Sequence, residues 1–219
     1  MNNFRLLSTK TLNHQQRERI LQTGVSYTER NFISIKHLPF SVDPSAYTLI
    51  FTSQNAVDAV FNQFHFTAKK CYCVGEKTKA LLAEKGQNVV KMERNAADLA
   101  DFILKNDQNS HFLFFAGKQR MPHLEKLFSA HNTPLKVVEV YETYAQPKAV
   151  GSYDGLLFYS PSGVESFVQD NTFDKSICFA LGNTTANALA AHTSSIITAT
   201  QPTVEHLIAA VKKYLIHKL

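Results

Sequence analysis

Leu49-Ile50-Phe51-Thr52-Ser53-Gln54-Asn55-Ala56-Val57 returns 107 positions later as Leu156-Leu157-Phe158-Tyr159-Ser160-Pro161-Ser162-Gly163-Val164. Each copy is an apolar run of strand length that reaches a serine and then a helical pattern. A second pair keeps the same offset: Cys73-Val74-Gly75-Glu76-Lys77-Thr78 against Ala180-Leu181-Gly182-Asn183-Thr184-Thr185. One offset shared by two separate motifs marks an internal duplication. The period far exceeds the ~50 residues of solenoid units, so the repeated piece is a small domain.

Outward from these motifs, short apolar runs alternate with amphipathic segments, the pattern of a parallel sheet flanked by helices. In the middle of the chain, 48–51, 71–74, 89–92 and 112–115 read as strands; in the outer parts, 4–7, 156–159, 177–179 and 196–197 do. Helical spacing places Val57, Val60, Phe61 and Phe64 on one face, and Leu99, Phe102 and Ile103 on another. Ser162 with Glu165 has the form of a capping box, and Thr203 suits the cap of the last helix. The expected fold class is α/β: two flavodoxin-like parallel-sheet domains of five strands each. The first strand and helix complete the second repeat, so one domain is discontinuous, 1–36 with 146–219, around an inserted domain, 37–145. Two alternating stretches, about 32–38 and 137–145, are expected to form a two-stranded β linker, a hinge for a cleft between the halves.

The chain has 219 residues, 44% hydrophobic and 19% charged, an ordinary globular composition. No apolar stretch approaches the ~20 residues of a membrane-spanning helix, and Met1 to Arg5 leads into a strand without a signal peptide. The expected location is cytoplasmic, with no membrane partner. Cys71, Cys73 and Cys178 have no C-x-x-C spacing; Cys71 and Cys73 share one strand face as small buried thiols. The nine histidines include no close pair fit for a metal, so none is expected. The net charge of +5 is dispersed over Lys69-Lys70, Lys118 with Arg120, and Lys212-Lys213. Nucleic-acid binders concentrate such charge along one face, so no nucleic-acid partner is expected.

In open parallel sheets, ligands bind beyond the carboxyl ends of the strands, where loops lead into helix N-termini. Ser53, Gly75, Ser160 and Gly182 stand at such junctions, with helices beginning around Thr78 and Thr185. Hydroxyls and backbone N–H groups there suit carboxylates. The same residue types are also good turn and cap residues, so recurrence on two domains is what favours binding. The sequence has no G-x-G-x-x-G, G-x-x-x-x-G-K-[ST] or G-x-S-x-G, so nucleotide cofactors and an esterase elbow lack their mechanics. Glu139 and Glu142 fall on opposite faces of a strand and make a poor acid–base pair.

In order and spacing, Ile50 to Ser53 with Ala56-Val57, Val74-Gly75 with Thr78, Val140 to Thr143, Phe158 to Gly163, and Gly182 to Ala186 together resemble the uroporphyrinogen-III synthase family over nearly the whole chain. The resemblance implies two α/β domains on a two-stranded linker and a cofactor-free cyclisation of hydroxymethylbilane. That linear tetrapyrrole carries eight carboxylates, loses its terminal hydroxyl as water, and closes with inversion of ring D through a spiro intermediate. Spontaneous closure gives the type I isomer, so holding a bent geometry matters more than strong acid–base groups.

Tyr141 matches the family tyrosine that helps the hydroxyl leave; a phenol is a proton donor at neutral pH. Thr78, Ser160 and Thr185 correspond to family positions lining the cleft, and the internal repeat adds Ser53 and Gly182 to Gly75 as substrate-binding positions. Lys10 and Lys118 stand where the family often carries arginine, and lysine lacks its planar fork. The implied partner is the substrate alone, with transient contact to the preceding pathway enzyme, and the expected state is a monomer. The competing interpretation is a non-catalytic two-domain binder of a small polycarboxylate. A receiver-like module would need an aspartate at a strand end, where Ser8, Ser53 and Ser160 stand instead.

Overall fold

The computed structural model describes residues 4–68 and 70–218. Met1 to Asn3, Leu219 and Lys69, the first lysine of one basic pair, lie outside the described residues. The elements run β1 (Arg5–Ser8), α1 (His14–Leu21), β2 (Ser26–Glu29), β3 (Ile33–His37), β4 (Thr48–Phe51), α2 (Gln54–Phe61), β5 (Cys71–Val74), α3 (Glu76–Glu84), β6 (Val89–Glu93) and α4 (Ala96–Asn106). They continue with β7 (Phe112–Gly117), α5 (His123–Ala130), β8 (Leu135–Ala145), β9 (Gly155–Phe158), α6 (Pro161–Phe167), β10 (Ile177–Ala180), α7 (Asn183–Ala190), β11 (Ile196–Thr198) and α8 (Val204–Lys218). The chain divides into two compact units, Met1–Ser34 with Tyr144–Leu219, and Ile35–Thr143.

The discontinuous unit carries one parallel sheet in the order β2-β1-β9-β10-β11. Counted along the chain this is 2-1-3-4-5, the flavodoxin-like order. Its inner strands β1, β9 and β10 are mostly buried because both faces are covered, and alternation divides their side chains between two cores. Leu6, Leu157 and Phe179 pack with Ile20 of α1 and Leu207 and Val211 of α8. Leu7, Leu156, Phe158 and Cys178 pack with Val164 and Phe167 of α6 and Leu189 of α7. Each such fully buried side chain contributes roughly 1.5–3 kcal/mol of burial free energy.

The continuous unit differs from the expected five-stranded flavodoxin-like sheet. Its sheet has six strands, β6-β5-β4-β7-β8-β3, with β4 pairing parallel to β5 and β7, and β8 parallel to β7. Counted from β4 the succession is 3-2-1-4-5, the dinucleotide-fold order, with β3 added outside β8. The extra strand arises because the returning stretch expected as linker pairs with β7 from Leu135 to Tyr141, which leaves its other edge to β3. Leu49, Phe51, Cys71, Cys73, Leu113 and Phe115 face α2 and α3, whereas Ile50, Tyr72, Phe112 and Phe114 face α4 and α5. The strands that share the 107-residue offset, β4-β5-β6 and β9-β10-β11, lie side by side in the same succession, each set in its own sheet.

Thr203 caps α8 as expected, its Oγ1 accepting from His206 N–H at 3.2 Å. The cap of α6 is corrected: it is Ser160, and Ser162 lies inside the first turn. Pro161 takes the first helical position, where its missing N–H costs nothing, and so the helix starts earlier than the Ser162–Glu165 spacing suggests. Among the described residues no helix is long and apolar enough to cross a membrane.

Candidate active site

In each sheet, loops leave two adjacent strands in opposite directions, which opens a crevice at the carboxyl edge. In the continuous unit this switch point lies between β4 and β7, and Ser53 stands two residues beyond β4. Extended at φ −150°, Ser53 caps α2 by accepting the Asn55 N–H at 3.1 Å. The Tyr141 hydroxyl donates to the same Oγ at 3.2 Å.

Tyr141 reaches Ser53 because β8 contains a bulge. Ala116 lies opposite Glu139, yet the next residue, Gly117, lies opposite Tyr141, so the buried Val140 is an extra residue. Such a bulge bends its strand and re-aims the side chain that follows. The phenol ring then occupies the place of a side chain at 117: a Cβ there would fall 2.6 Å from Tyr141 Cζ. The loop after β7 is tied to β8 beside the ring. Lys118 N–H donates to Tyr141 O at 2.9 Å, and the Gln119 amide pairs with Thr143 through its Oε1, at 3.0 Å from N, and its Nε2, at 3.2 Å from O. Lys118 Nζ meets Glu142 Oε1 at 3.0 Å, with the lysine side chain 54% exposed. Arg120 bridges Glu125 at 2.7 Å and Glu139 at 2.9 Å, and it also donates to Gly117 O at 3.1 Å. Glu139 and Glu142 are therefore each engaged by a cation.

At the next junction Gly75 caps α3 with φ +84°, the left-handed region that favours glycine. Its repeat partner Gly182 caps α7 with φ −168°, extended backbone open to any residue, and a Cβ there would meet Pro202 at an ordinary 3.6 Å. The two glycines thus differ in what their backbones require. Thr78 and Thr185 are third in their helices rather than first, and both are buried, 5% and 2% exposed.

In the discontinuous unit the switch point lies between β1 and β9. Ser160, after β9, accepts Gly163 N–H at 3.2 Å. Across from it the buried Ser8 donates to Lys10 O at 2.6 Å and shares a hydrogen bond with the Tyr159 hydroxyl at 2.8 Å. Burial raises the Tyr159 phenol far above its ordinary range. Glu29 holds the loop that carries Lys10, accepting from Leu12 N at 3.2 Å, Tyr27 at 2.9 Å and Arg17 at 2.8 Å, while Asn31 accepts from Thr11 N at 2.7 Å.

The structure thus brings Ser53, Tyr141 and Lys118 together at the β4/β7 switch point, and places Gly75 and Thr78 at the neighbouring junction of the same sheet edge. Ser160, Gly182 and Thr185 line the corresponding edge of the other unit. Sequence reasoning gave no role to Gly117, Tyr159 and Glu29, and placed Ser8 at a strand end without its hydrogen bond to Tyr159. Gly117 had a signal, a lone glycine ending the apolar run Phe112-Leu113-Phe114-Phe115-Ala116-Gly117. Among the described residues no group of three or more His, Cys, Asp and Glu could hold a metal ion.

Two solved structures are similar in fold. Uroporphyrinogen-III synthetase from Helicobacter pylori is 17% identical, with 96% of this chain and 99% of that one covered and a TM-score of 0.75. A mutant uroporphyrinogen III synthase from the extremely thermophilic bacterium Thermus thermophilus is 12% identical, with 98% and 99% covered and a TM-score of 0.65. No curated protein sequence matches the chain. The sequence model described as HEM4, uroporphyrinogen-III synthase HemD, matches residues 15–209. That match takes in both serine junctions, both glycine junctions and Tyr141, and the chain belongs to the uroporphyrinogen-III synthase family.

Proposed function

We propose that the chain carries out its family's cyclisation, closing hydroxymethylbilane to uroporphyrinogen III with loss of water and inversion of ring D, and that Tyr141 assists departure of the terminal hydroxyl. The observation that carries the proposal is the seating of Tyr141 against Ser53 over Gly117 at the β4/β7 switch point. A phenol that donates to a helix-capping hydroxyl is a proton source at this switch point, and general acids contribute about 10²–10⁴-fold.

Carboxylates of the substrate are taken by Gly75, Thr78 and Lys118 in the continuous unit and by Ser160, Gly182 and Thr185 in the discontinuous one. Charge-assisted hydrogen bonds contribute about 1.5–3 kcal/mol each, so several together fix the bent geometry that separates type III closure from spontaneous type I closure. The enzyme works without a cofactor, as a cytoplasmic monomer that receives its unstable substrate from the preceding pathway enzyme.

The test is to supply freshly generated hydroxymethylbilane, oxidise the products, and separate uroporphyrin isomers I and III by chromatography. A type III excess over the protein-free control is expected, and Tyr141→Phe is expected to reduce it by about 10²-fold. Type I alone, at the control rate and with substrate verified on a known synthase, overturns the proposal.

A further inference from the structure

Ser53 Oγ accepts two hydrogen bonds, from the Asn55 N–H at 3.1 Å and from the Tyr141 phenol at 3.2 Å. A hydroxyl has two lone pairs and one proton. With both lone pairs engaged, the proton of Ser53 is what this pair has left to give, while the phenol proton is spent on Ser53. Capping alone does not explain the arrangement. Ser160, 107 positions later, caps α6 by accepting Gly163 N–H at 3.2 Å, and among the described residues no phenol donates to it. The tyrosine behind Ser53 is an added feature, admitted by a bulge and by a glycine where a Cβ would collide with its ring.

We propose that Ser53 hands the proton to the departing hydroxyl of the bilane, with Tyr141 in series behind it. This rests on the synthase function proposed above. The bond between the terminal methylene carbon and its hydroxyl oxygen breaks, and the electron pair leaves with the oxygen. That oxygen takes the Ser53 proton and departs as water, while the adjoining pyrrole ring delocalises the positive charge left on the methylene. Ser53 takes the phenol proton in the same event. The cationic methylene joins the substituted α-carbon of ring D, the bond from that carbon to its other methylene breaks, and the freed methylene joins the unsubstituted α-carbon of ring D. The proton shed from that carbon returns to the phenolate, so each closure releases one water and returns the protein unchanged.

Serine and tyrosine acting in series predict losses that do not multiply. The rate of type III formation is measured for the wild type, Tyr141→Phe, Ser53→Gly, Ser53→Thr and the Tyr141→Phe/Ser53→Gly double variant. Glycine is an adequate N-cap, so Ser53→Gly keeps α2 and melts within about 2 °C of the wild type. It is expected to lose about 10²-fold in kcat, as does Tyr141→Phe, and the double variant is expected to lose no more than either alone. Threonine restores the hydroxyl and is expected to recover most of the rate. An active wild type whose Ser53→Gly variant keeps its kcat overturns the relay while leaving the synthase function standing. So does a double variant whose losses multiply to about 10⁴-fold. An inactive wild type overturns the synthase function and the relay with it.

Discussion

A methyl group on Gly117 would sit 2.6 Å from Cζ and 2.8 Å from Oη of Tyr141, so the strand residue opposite the phenol has no side chain because the phenol occupies its place. The ring is the movable end of a side chain, whereas the Gly117 backbone is buried and fixed by its pairing to β8. In Gly117→Ala the ring gives way, and it swings off Ser53. Overpacking of this kind costs about 1 kcal/mol when the colliding group can shift. The expected outcome is a small fall in thermal stability with a fall of at least about 10-fold in type III formation. In a Tyr141→Phe background the same substitution is expected to cost stability and no further rate. Isomer analysis beside thermal unfolding checks both, and a wild-type rate for Gly117→Ala would show that the phenol's position does not matter.

The paired strands were legible because burial on both faces writes them as unbroken apolar runs, and Thr48–Phe51 and Cys71–Val74 begin and end where the sequence places them. The shift at Val140 was not legible. A bulge depends on what the neighbouring strand offers, and Val140-Tyr141-Glu142 alternates like any regular strand. The same limit applies to Glu29, which lies 19 positions from Lys10 and reaches that loop only once β1 and β2 are paired. Ser53 and Ser160 were legible as junctions from the repeat alone, but that Ser53 receives a phenol 88 positions away is a fact of tertiary packing.

Burial also governs the thiols. Cys71 and Cys178 are pushed up to about 12 and Cys73 to about 11, in each case chiefly because the thiolate would be desolvated. The thiolate is the reactive form. At pH 8 the folded protein is expected to react negligibly with a disulfide reagent such as DTNB, and in denaturant all three cysteines are expected to react rapidly. A thiol titration with and without guanidinium decides the matter; fast native labelling would mean that a core opens locally.

Asp107, after α4, accepts hydrogen bonds from Ser110 at 2.6 Å, Tyr72 at 2.9 Å and Lys70 at 3.3 Å. Burial alone would raise this carboxyl, with a side chain only 15% exposed, but the bonds from Ser110, Tyr72 and Lys70 outweigh it and hold the group below its ordinary value. A carboxyl lowered in the folded state binds more protons when unfolded. Its contribution is therefore complete above the ordinary aspartate value of about 3.9 and is lost as pH falls through the lower folded value. Lys70 is 48% exposed and adds little, so Tyr72 and Ser110 supply most of the effect. Tyr72→Phe is expected to destabilise the protein at pH 7 by about 1.5 kcal/mol, the low end for a hydrogen bond to a charged group. The difference from the wild type is expected to shrink as the pH is lowered below about 4. Asp107 lies just before the amino end of β7, away from Ser53, so the rate of type III formation by Tyr72→Phe should stay within about twofold of the wild type once both are folded. Denaturant unfolding at a series of pH values measures the effect, and a destabilisation that grows on acidification would mean that the tyrosine supports the neutral acid instead of the carboxylate.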